Sequence, residues 1–144
     1  MNFEITDSGP KLTVREISAY EAGAQVHLPP QFRNFLLQSN GGIPSVMVAP
    51  DTGFDADVSV FFQLFTQNRK DSLEDLSGKC GKEIIWFAAD SGGGRFGIAH
   101  AGQNFGCVYW FDLPHSDVTD PLEADCAFVA STFNAFLNSL TPFS

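Results

Sequence analysis

The stretch IIWFAADSGGGRFGI, residues 84–98, contains two short apolar runs separated by a turn rich in glycine. The runs 84–88 and 95–99 are too short for ordinary helices and are typical of strands. Glycine supplies the positive φ angles of a tight turn, because it has no Cβ that could clash. A second glycine-rich turn, residues 102–106, leads into the apolar run 107–111. The stretch therefore predicts an antiparallel meander.

Helix patterns lie on both sides of this meander. Thr13 and Glu16 have the spacing of a capping box, in which each side chain bonds to the backbone N–H of the other residue. Gly23 suits the C-terminal end of this first helix. Towards the C-terminus, Ser131 or Thr132 can cap a closing helix. Its apolar face would consist of Phe133, Phe136, Leu137 and Leu140.

The segment LPPQFRNFLLQSNGG, residues 28–42, predicts a further helix. Pro29 suits the first helical turn, where the N–H that proline lacks would have no partner. Three residues at i, i+3 and i+4 predict one buried face: Phe32, Phe35 and Leu36. The residues that follow tolerate positive φ and let the chain leave the helix sharply: Asn40, Gly41 and Gly42.

The remaining apolar runs predict strands over residues 45–48, 57–65 and 126–130, and the second run is apolar on both faces. No repeat, linker or low-complexity tract divides the chain. We therefore predict one domain, residues 1–144, of the α+β class. Its mainly antiparallel sheet would be packed with N-terminal helices and a closing C-terminal helix.

The chain is strongly acidic, and its charge is unevenly distributed. Seventeen acidic and eight basic side chains give a net charge of -9, and no Lys or Arg follows Arg95. Such a field repels nucleic acid and anionic membranes and favours basic partners. On charge alone, an acidic surface that keeps a Phe-rich protein in solution is the simpler explanation.

Two acidic loops are candidate surfaces for binding a partner. The first contains Asp51, Phe54, Asp55 and Asp57. The second contains Asp112, Asp117, Asp120, Glu123 and Asp125. For either loop alone, a solvated surface loop explains the same residues at least as well.

The motif DSGG, residues 90–93, also surrounds the nucleophilic serine of chymotrypsin-like proteases. That chemistry needs a histidine oriented by a buried acid, and the sequence pattern links none of the three histidines to Ser91. A phosphate-binding loop needs a helix after its glycines, whereas strand patterns flank this turn. The histidines and cysteines also lack the spacing of metal ligands. We therefore predict no enzyme, no catalytic residues, no metal and no cofactor.

The three cysteines are widely spaced and form no CxxC pair, which favours reduced thiols in a reducing compartment. The first residues contain no apolar segment of the kind found in secretory signals. No apolar run approaches the ~20 residues that a membrane span needs. These features predict a cytoplasmic protein that does not bind membranes.

Taken in order, these segments resemble the SUKH superfamily. LPPQFRNFLLQSNGGIP, residues 28–44, is similar to its signature helix, which a Leu-Pro opens and Asn-Gly-Gly ends. IIWFAADSGGGRFGI resembles its second signature, an apolar strand followed by an Asp-Gly-Gly-type turn and a short strand. VYWFD and FVASTFNAFLNSL, residues 108–112 and 128–140, are similar to its later strand and closing helix. The resemblance spans about residues 11–141.

The resemblance implies an α+β fold and no catalytic residues. Six residues match motif positions, and physical reasoning gives them turn and capping roles: Asn40, Gly41, Gly42, Asp90, Gly92 and Gly93. The turn from Asp90 to Arg95 is longer than the superfamily pattern, so its conformation is open. The superfamily includes fungal regulators of cell-wall synthesis and many bacterial immunity proteins, which neutralise toxins that are often nucleases.

We therefore expect a non-enzymatic protein-binding domain, an immunity protein that occludes a basic toxin domain such as a nuclease. One alternative is a regulatory module that binds an endogenous protein. Another is a small-ligand binder or enzyme with a Phe-lined cleft. A neighbouring toxin gene would favour the first function and an isolated gene the second. A deep pocket with converging polar groups would favour the third.

Overall fold

The computed structural model describes residues 3–45, 47–48, 56–64, 84–112 and 125–142. Within this part of the chain there are three helices: α1 (Val14–Ala24), α2 (Pro30–Gln38) and α3 (Phe133–Ser139). None of them is long and apolar enough to cross a membrane.

The start of α1 follows its sequence signal, but its end does not. The Thr13 hydroxyl accepts from the Glu16 N–H at 3.2 Å, and the Glu16 carboxylate accepts from the Thr13 N–H at 3.0 Å, which confirms the capping box. Gly23 was the expected stop, yet the helix continues to Ala24 and Gln25 takes the left-handed conformation at φ 57°. A tertiary contact fixes this end, because the Glu21 carboxylate accepts from the Leu28 N–H at 2.9 Å.

The second and third helices form as predicted, and each buries one face. In α2, Pro29 is the N-cap residue, Pro30 is the first helical residue, and the buried side chains are Phe32, Phe35 and Leu36. In α3, the Thr132 hydroxyl accepts from the Ala135 N–H at 3.1 Å. Leu140 is buried as expected but lies just beyond the helix, at its C-cap.

The described strands, in chain order, are β1 (Ile5–Thr6), β2 (Ile43–Pro44), β3 (Met47–Val48), β4 (Asp57–Val58), β5 (Val60–Phe61), β6 (Ile84–Ala89), β7 (Arg95–Ala99), β8 (Val108–Asp112), β9 (Asp125–Ala130) and β10 (Thr141–Pro142). The main sheet has five antiparallel strands in the order β5-β6-β7-β8-β9. Two small sheets, β1-β2 and β10-β3-β4, complete the arrangement. The α+β prediction, with its meander and closing helix, is confirmed.

The run 57–65 was expected to form one strand, and this expectation is wrong. β4 pairs with β3 in a small sheet, whereas β5 pairs with β6 in the main sheet. Between them, Ser59 donates from both its N–H and its hydroxyl to the carbonyl of Ala89, at 2.8 and 3.0 Å. The chain therefore passes from one sheet to the other at Ser59.

Aromatic side chains join the main sheet to two helices. The Phe87 ring on β6 lies 5.7 Å from Phe32 on α2 and 5.2 and 5.3 Å from Phe133 and Phe136 on α3, measured between centroids. The two contacts with α3 are edge-to-face, a geometry that aromatic quadrupoles favour. Since all four rings are almost fully buried, this cluster forms the centre of the core.

Replacing Phe87 with Ala should lower the free energy of unfolding by about 3–5 kcal/mol, because the substitution leaves a cavity where sheet and helices meet. Val14→Ala is the control, since Val14 is 54% exposed and its change should stay within about 0.5 kcal/mol. Urea unfolding followed by circular dichroism measures both. Equal losses in the two variants would show that the cluster is not the centre of the core.

Candidate functional site

The DSGGG segment forms the turn between β6 and β7, and its aspartate points inward. The Asp90 side chain is buried, and one carboxylate oxygen accepts from the Gly94 N–H at 2.7 Å. The other oxygen accepts from the indole N–H of Trp110 on β8 at 2.6 Å. The Asp90 N–H donates to the Gly94 carbonyl at 3.0 Å, while Gly93 has a φ of 94°. Asp90 thus ties three consecutive strands together.

Ser91, in the same turn, holds an acidic residue of the first candidate loop. Its N–H and its hydroxyl both donate to one carboxylate oxygen of Asp57, at 2.9 and 2.8 Å. A serine nucleophile instead needs its hydroxyl bonded to a general base, usually histidine. The observed contact fixes Asp57 against the turn and gives Ser91 no such base.

The Asn40-Gly41-Gly42 motif connects the end of α2 to the neighbourhood of β5. The Asn40 amide accepts from the Leu64 N–H at 2.8 Å and donates to the Leu64 carbonyl at 2.9 Å and the Pro10 carbonyl at 3.0 Å. Gly41 has a φ of 64°, and a Cβ there would lie 2.5 Å from the Phe62 carbonyl oxygen. These residues hold the backbone together and present no reactive group.

Two residues of the second candidate loop face each other across neighbouring strands. The register pairs Asp112, the last residue of β8, with Asp125, the first residue of β9. The other predicted surface residues lie outside the described part of the chain: Asp51, Phe54, Asp55, Asp117, Asp120 and Glu123.

The described residues of the two candidate loops lie at the same end of the main sheet. Arg95, the first residue of β7, pairs with Phe111, and the next register pair along β8 is Asp112 with Asp125. Asp57 reaches this end through its bonds to Ser91. We call this region, which comprises Asp57, the turn 90–94, Asp112 and Asp125, the acidic end. Along the main sheet, from the end of β6 to β9, it crosses three interstrand spacings, or about 14 Å.

A groove between α1 and α2 shows no arrangement of the kind a ligand site needs. Glu21 on α1 pairs with Arg33 on α2 at 3.1 Å, and Arg33 also donates to the Ser18 hydroxyl at 2.7 Å. The side chains of Ser18 and Glu21 on α1 thus bond to Arg33 on α2 and join the two helices. No phenylalanine lines it, in contrast to the cleft of the small-ligand alternative. The lining consists of Ser18, Glu21, Ala22, Gln25, Val26, His27, Leu28, Pro30, Arg33 and Asn34.

The described side chains do not support metal binding either. Within the described residues, no group of three or more His, Cys, Asp or Glu side chains could hold a metal ion. No sequence pattern predicts the contacts of Asp90 with Trp110 or of Asp57 with Ser91. One signal was present for the first, because a buried tryptophan usually finds a partner for its indole N–H.

The fold and these contacts define an α+β domain whose motif residues hold the backbone frame. The chain belongs to the SMI1 / KNR4 family (SUKH-1), whose family model matches residues 11–139. The resemblance to the SUKH superfamily is thereby confirmed. The family is generally non-enzymatic, and membership is consistent with a protein-binding role in immunity or regulation. No curated protein matches the chain at a significant level.

Asp90→Ala should lower the free energy of unfolding by about 2–3 kcal/mol, because it leaves the Gly94 N–H and the Trp110 indole N–H without their carboxylate. Trp110→Phe keeps an aromatic ring and removes only the indole donor. Combining the two changes in a double-mutant cycle should give a coupling energy of about 1–2 kcal/mol, measured by urea unfolding.

Ser91→Ala is the control within the same turn, and we expect a loss below about 1 kcal/mol because its hydrogen bonds are exposed. Strictly additive effects of Asp90→Ala and Trp110→Phe would contradict the role assigned to their contact.

Proposed function

We propose that the chain is an immunity protein that binds a basic toxin domain, such as a nuclease, and occludes its substrate channel. The observation that carries this proposal is that described residues of both candidate loops, Asp57 from the first and Asp112 and Asp125 from the second, lie at one end of the sheet. Asp57 is bonded to the turn 90–94, and Asp112 pairs with Asp125 at the same end. Separately, each loop has a plain explanation as solvated surface, but the three described acidic residues lie at one end of the sheet.

Part of the acidic end is held in position before any partner arrives. Asp57 is bonded to Ser91, and the neighbouring Asp90 is anchored to Trp110 in the interior. Ordering side chains on association costs free energy, so a carboxylate that is already fixed binds with a smaller loss of entropy. This arrangement supports a binding surface more than it supports a loop that only keeps the chain in solution.

The net charge of the chain indicates that its partner is basic. A chain with a net charge of -9 repels anions and attracts a basic surface. A nuclease channel is basic because it holds phosphates, so an acidic protein that covers it excludes nucleic acid by competition. The acids would set association rate and specificity.

The proposal includes a cytoplasmic location, where such a toxin would meet its nucleic acid target. It requires neither a cofactor nor contact with nucleic acid or membrane.

The family match also supports a second function, a regulatory module for an endogenous protein, because the superfamily that the chain resembles includes fungal regulators. A toxin gene beside this gene would favour immunity, and an isolated gene would favour regulation. In either case the acidic end would be the contact surface.

The test begins with capture from the native organism, using tagged wild-type protein, low-salt washes and mass spectrometry. We expect one basic, nuclease-like polypeptide, and its association with the purified chain is then measured at low and high salt. The variant Asp57→Asn, Asp112→Asn, Asp125→Asn should associate about tenfold more slowly at low salt, with little difference at high salt. The amide oxygen that Asp57→Asn introduces can still accept the Ser91 hydrogen bonds, so the fold should persist.

The matched control removes the same amount of charge elsewhere: Glu4→Gln, Asp7→Asn and Glu16→Gln. These residues lie on or near β1 and on α1, and glutamine can replace Glu16 in its capping box. If both triple variants slow association equally, only the net charge matters and the acidic end is not the binding surface. Capture of an acidic polypeptide alone would contradict the toxin proposal.

A further inference from the structure

β9 forms an edge of the main sheet and has few of the features that usually protect an edge. Among the described strands it pairs only with β8. An edge strand offers backbone N–H and C=O groups to another strand, and proteins commonly block it with lysine, proline or a bulge. β9 contains neither lysine nor proline. Its one protective irregularity is a register that skips Val129, between Phe128 and Ala130.

Apart from Asp125, its first residue, this edge belongs to a segment without charged side chains in a strongly acidic chain. Residues 126–144 contain no Asp, Glu, Lys, Arg or His, although the net charge of the chain is -9. α3 lies in this segment and packs against β9, and its solvent-facing residues include Asn134 and Asn138. Two acidic molecules repel each other least where their surfaces lack charge. The edge is therefore suited to contact with another copy of the same acidic chain.

An exposed aromatic ring stands on this edge. Phe128 is 56% exposed, the largest exposed fraction among the large hydrophobic residues in the described part of the chain. Its ring meets Tyr109 on β8 edge-on, with 5.8 Å between centroids. An exposed ring beside an open strand edge is a common feature of surfaces that bind another protein. A basic partner would find no carboxylate in residues 126–144, so it would bind the acidic end instead.

We propose that β9 pairs antiparallel with β9 of a second copy of this chain, about a two-fold axis at Phe128. A two-fold axis closes the assembly as a dimer, since each copy offers the same edge. In this register each Asp125 lies opposite Ser131 of the second copy. The two Asp125 residues lie six register positions apart, about 20 Å at ~3.3 Å per residue. The pairing thus brings the rings together and keeps the acids apart.

The dimer also has a distinctive response to salt. Each copy carries a charge of -9, so screening should strengthen self-association. Binding of a basic partner at the acidic end would weaken under the same change. This inference does not rest on the proposed function, and failure of either leaves the other standing.

The test is sedimentation velocity on the full chain, from about 10 µM to about 1 mM and at about 0.05 M and about 0.5 M salt. We expect a species with twice the mass of one chain, which grows with concentration and with salt. Phe128→Asp should weaken dimerisation at least about tenfold, because it places two charges at the centre of the contact. Val14→Asp is the control, since Val14 is 54% exposed and lies on α1. It should leave the dimer intact.

A second variant tests the register by a gain in affinity, which misfolding cannot imitate. Ser131→Lys places a cation opposite Asp125 of the second copy, twice per dimer. Cross-strand ion pairs should therefore strengthen the dimer about threefold or more at low salt. A chain that stays monomeric throughout, or a dimer that Phe128→Asp does not weaken, would overturn the proposal. Weakening by Ser131→Lys would also overturn it.

Discussion

The buried carboxylate of Asp90 is the interaction on which the arrangement of the sheet and the acidic end depends. It accepts from Gly94 at the start of β7 and from Trp110 on β8, so one side chain holds three strands at one end. Burying a carboxylate is unfavourable unless strong donors satisfy it, and these two contacts supply them. Ser91 follows directly and fixes Asp57. The position of the acidic end thus depends on one buried carboxylate, that of Asp90.

Asn40 has the equivalent role at the other signature motif. Its amide makes both a donor and an acceptor bond with the Leu64 backbone, which resembles the bonding of a neighbouring strand. Asn40 and Asp90 are the buried polar residues in the described core, and both lie in the segments that resemble the SUKH signatures. This explains how motifs that look like a protease serine site or a phosphate loop can mark a family without catalysis. In this chain Asn40 bonds to the backbone of Leu64 and Pro10, and Asp90 bonds to the Gly94 N–H and the Trp110 indole.

Sequence patterns predicted those parts of the fold that depend on residues close together in the sequence. The Thr13 capping box, the buried face of α2 and the β6–β7 turn each depend on residues within one or two turns of chain. The split of 57–65 into two strands depends on a distant partner, Ala89. The end of α1 involves a bond from Leu28, beyond the helix, to the side chain of Glu21, which the glycine pattern at Gly23 does not predict. The acidic residues were recognised from the sequence, but the position of Asp57, Asp112 and Asp125 at one end of the sheet follows from strand order, a tertiary property.

Because charged residues are unevenly distributed, the protein has two surfaces with different electrostatic properties. The acidic end concentrates carboxylates where β8 ends and β9 begins, whereas the chain beyond Asp125 carries no charge. Asp125 stands at the boundary, so one strand leads from the acidic end into the uncharged edge. A basic protein is attracted to the first surface, and a second acidic copy is repelled least at the second. Because screening weakens the first attraction and reduces the second repulsion, ionic strength shifts the balance between them. A two-fold dimer through β9 would place its two acidic ends on opposite sides of the axis, leaving each of them open to a basic partner.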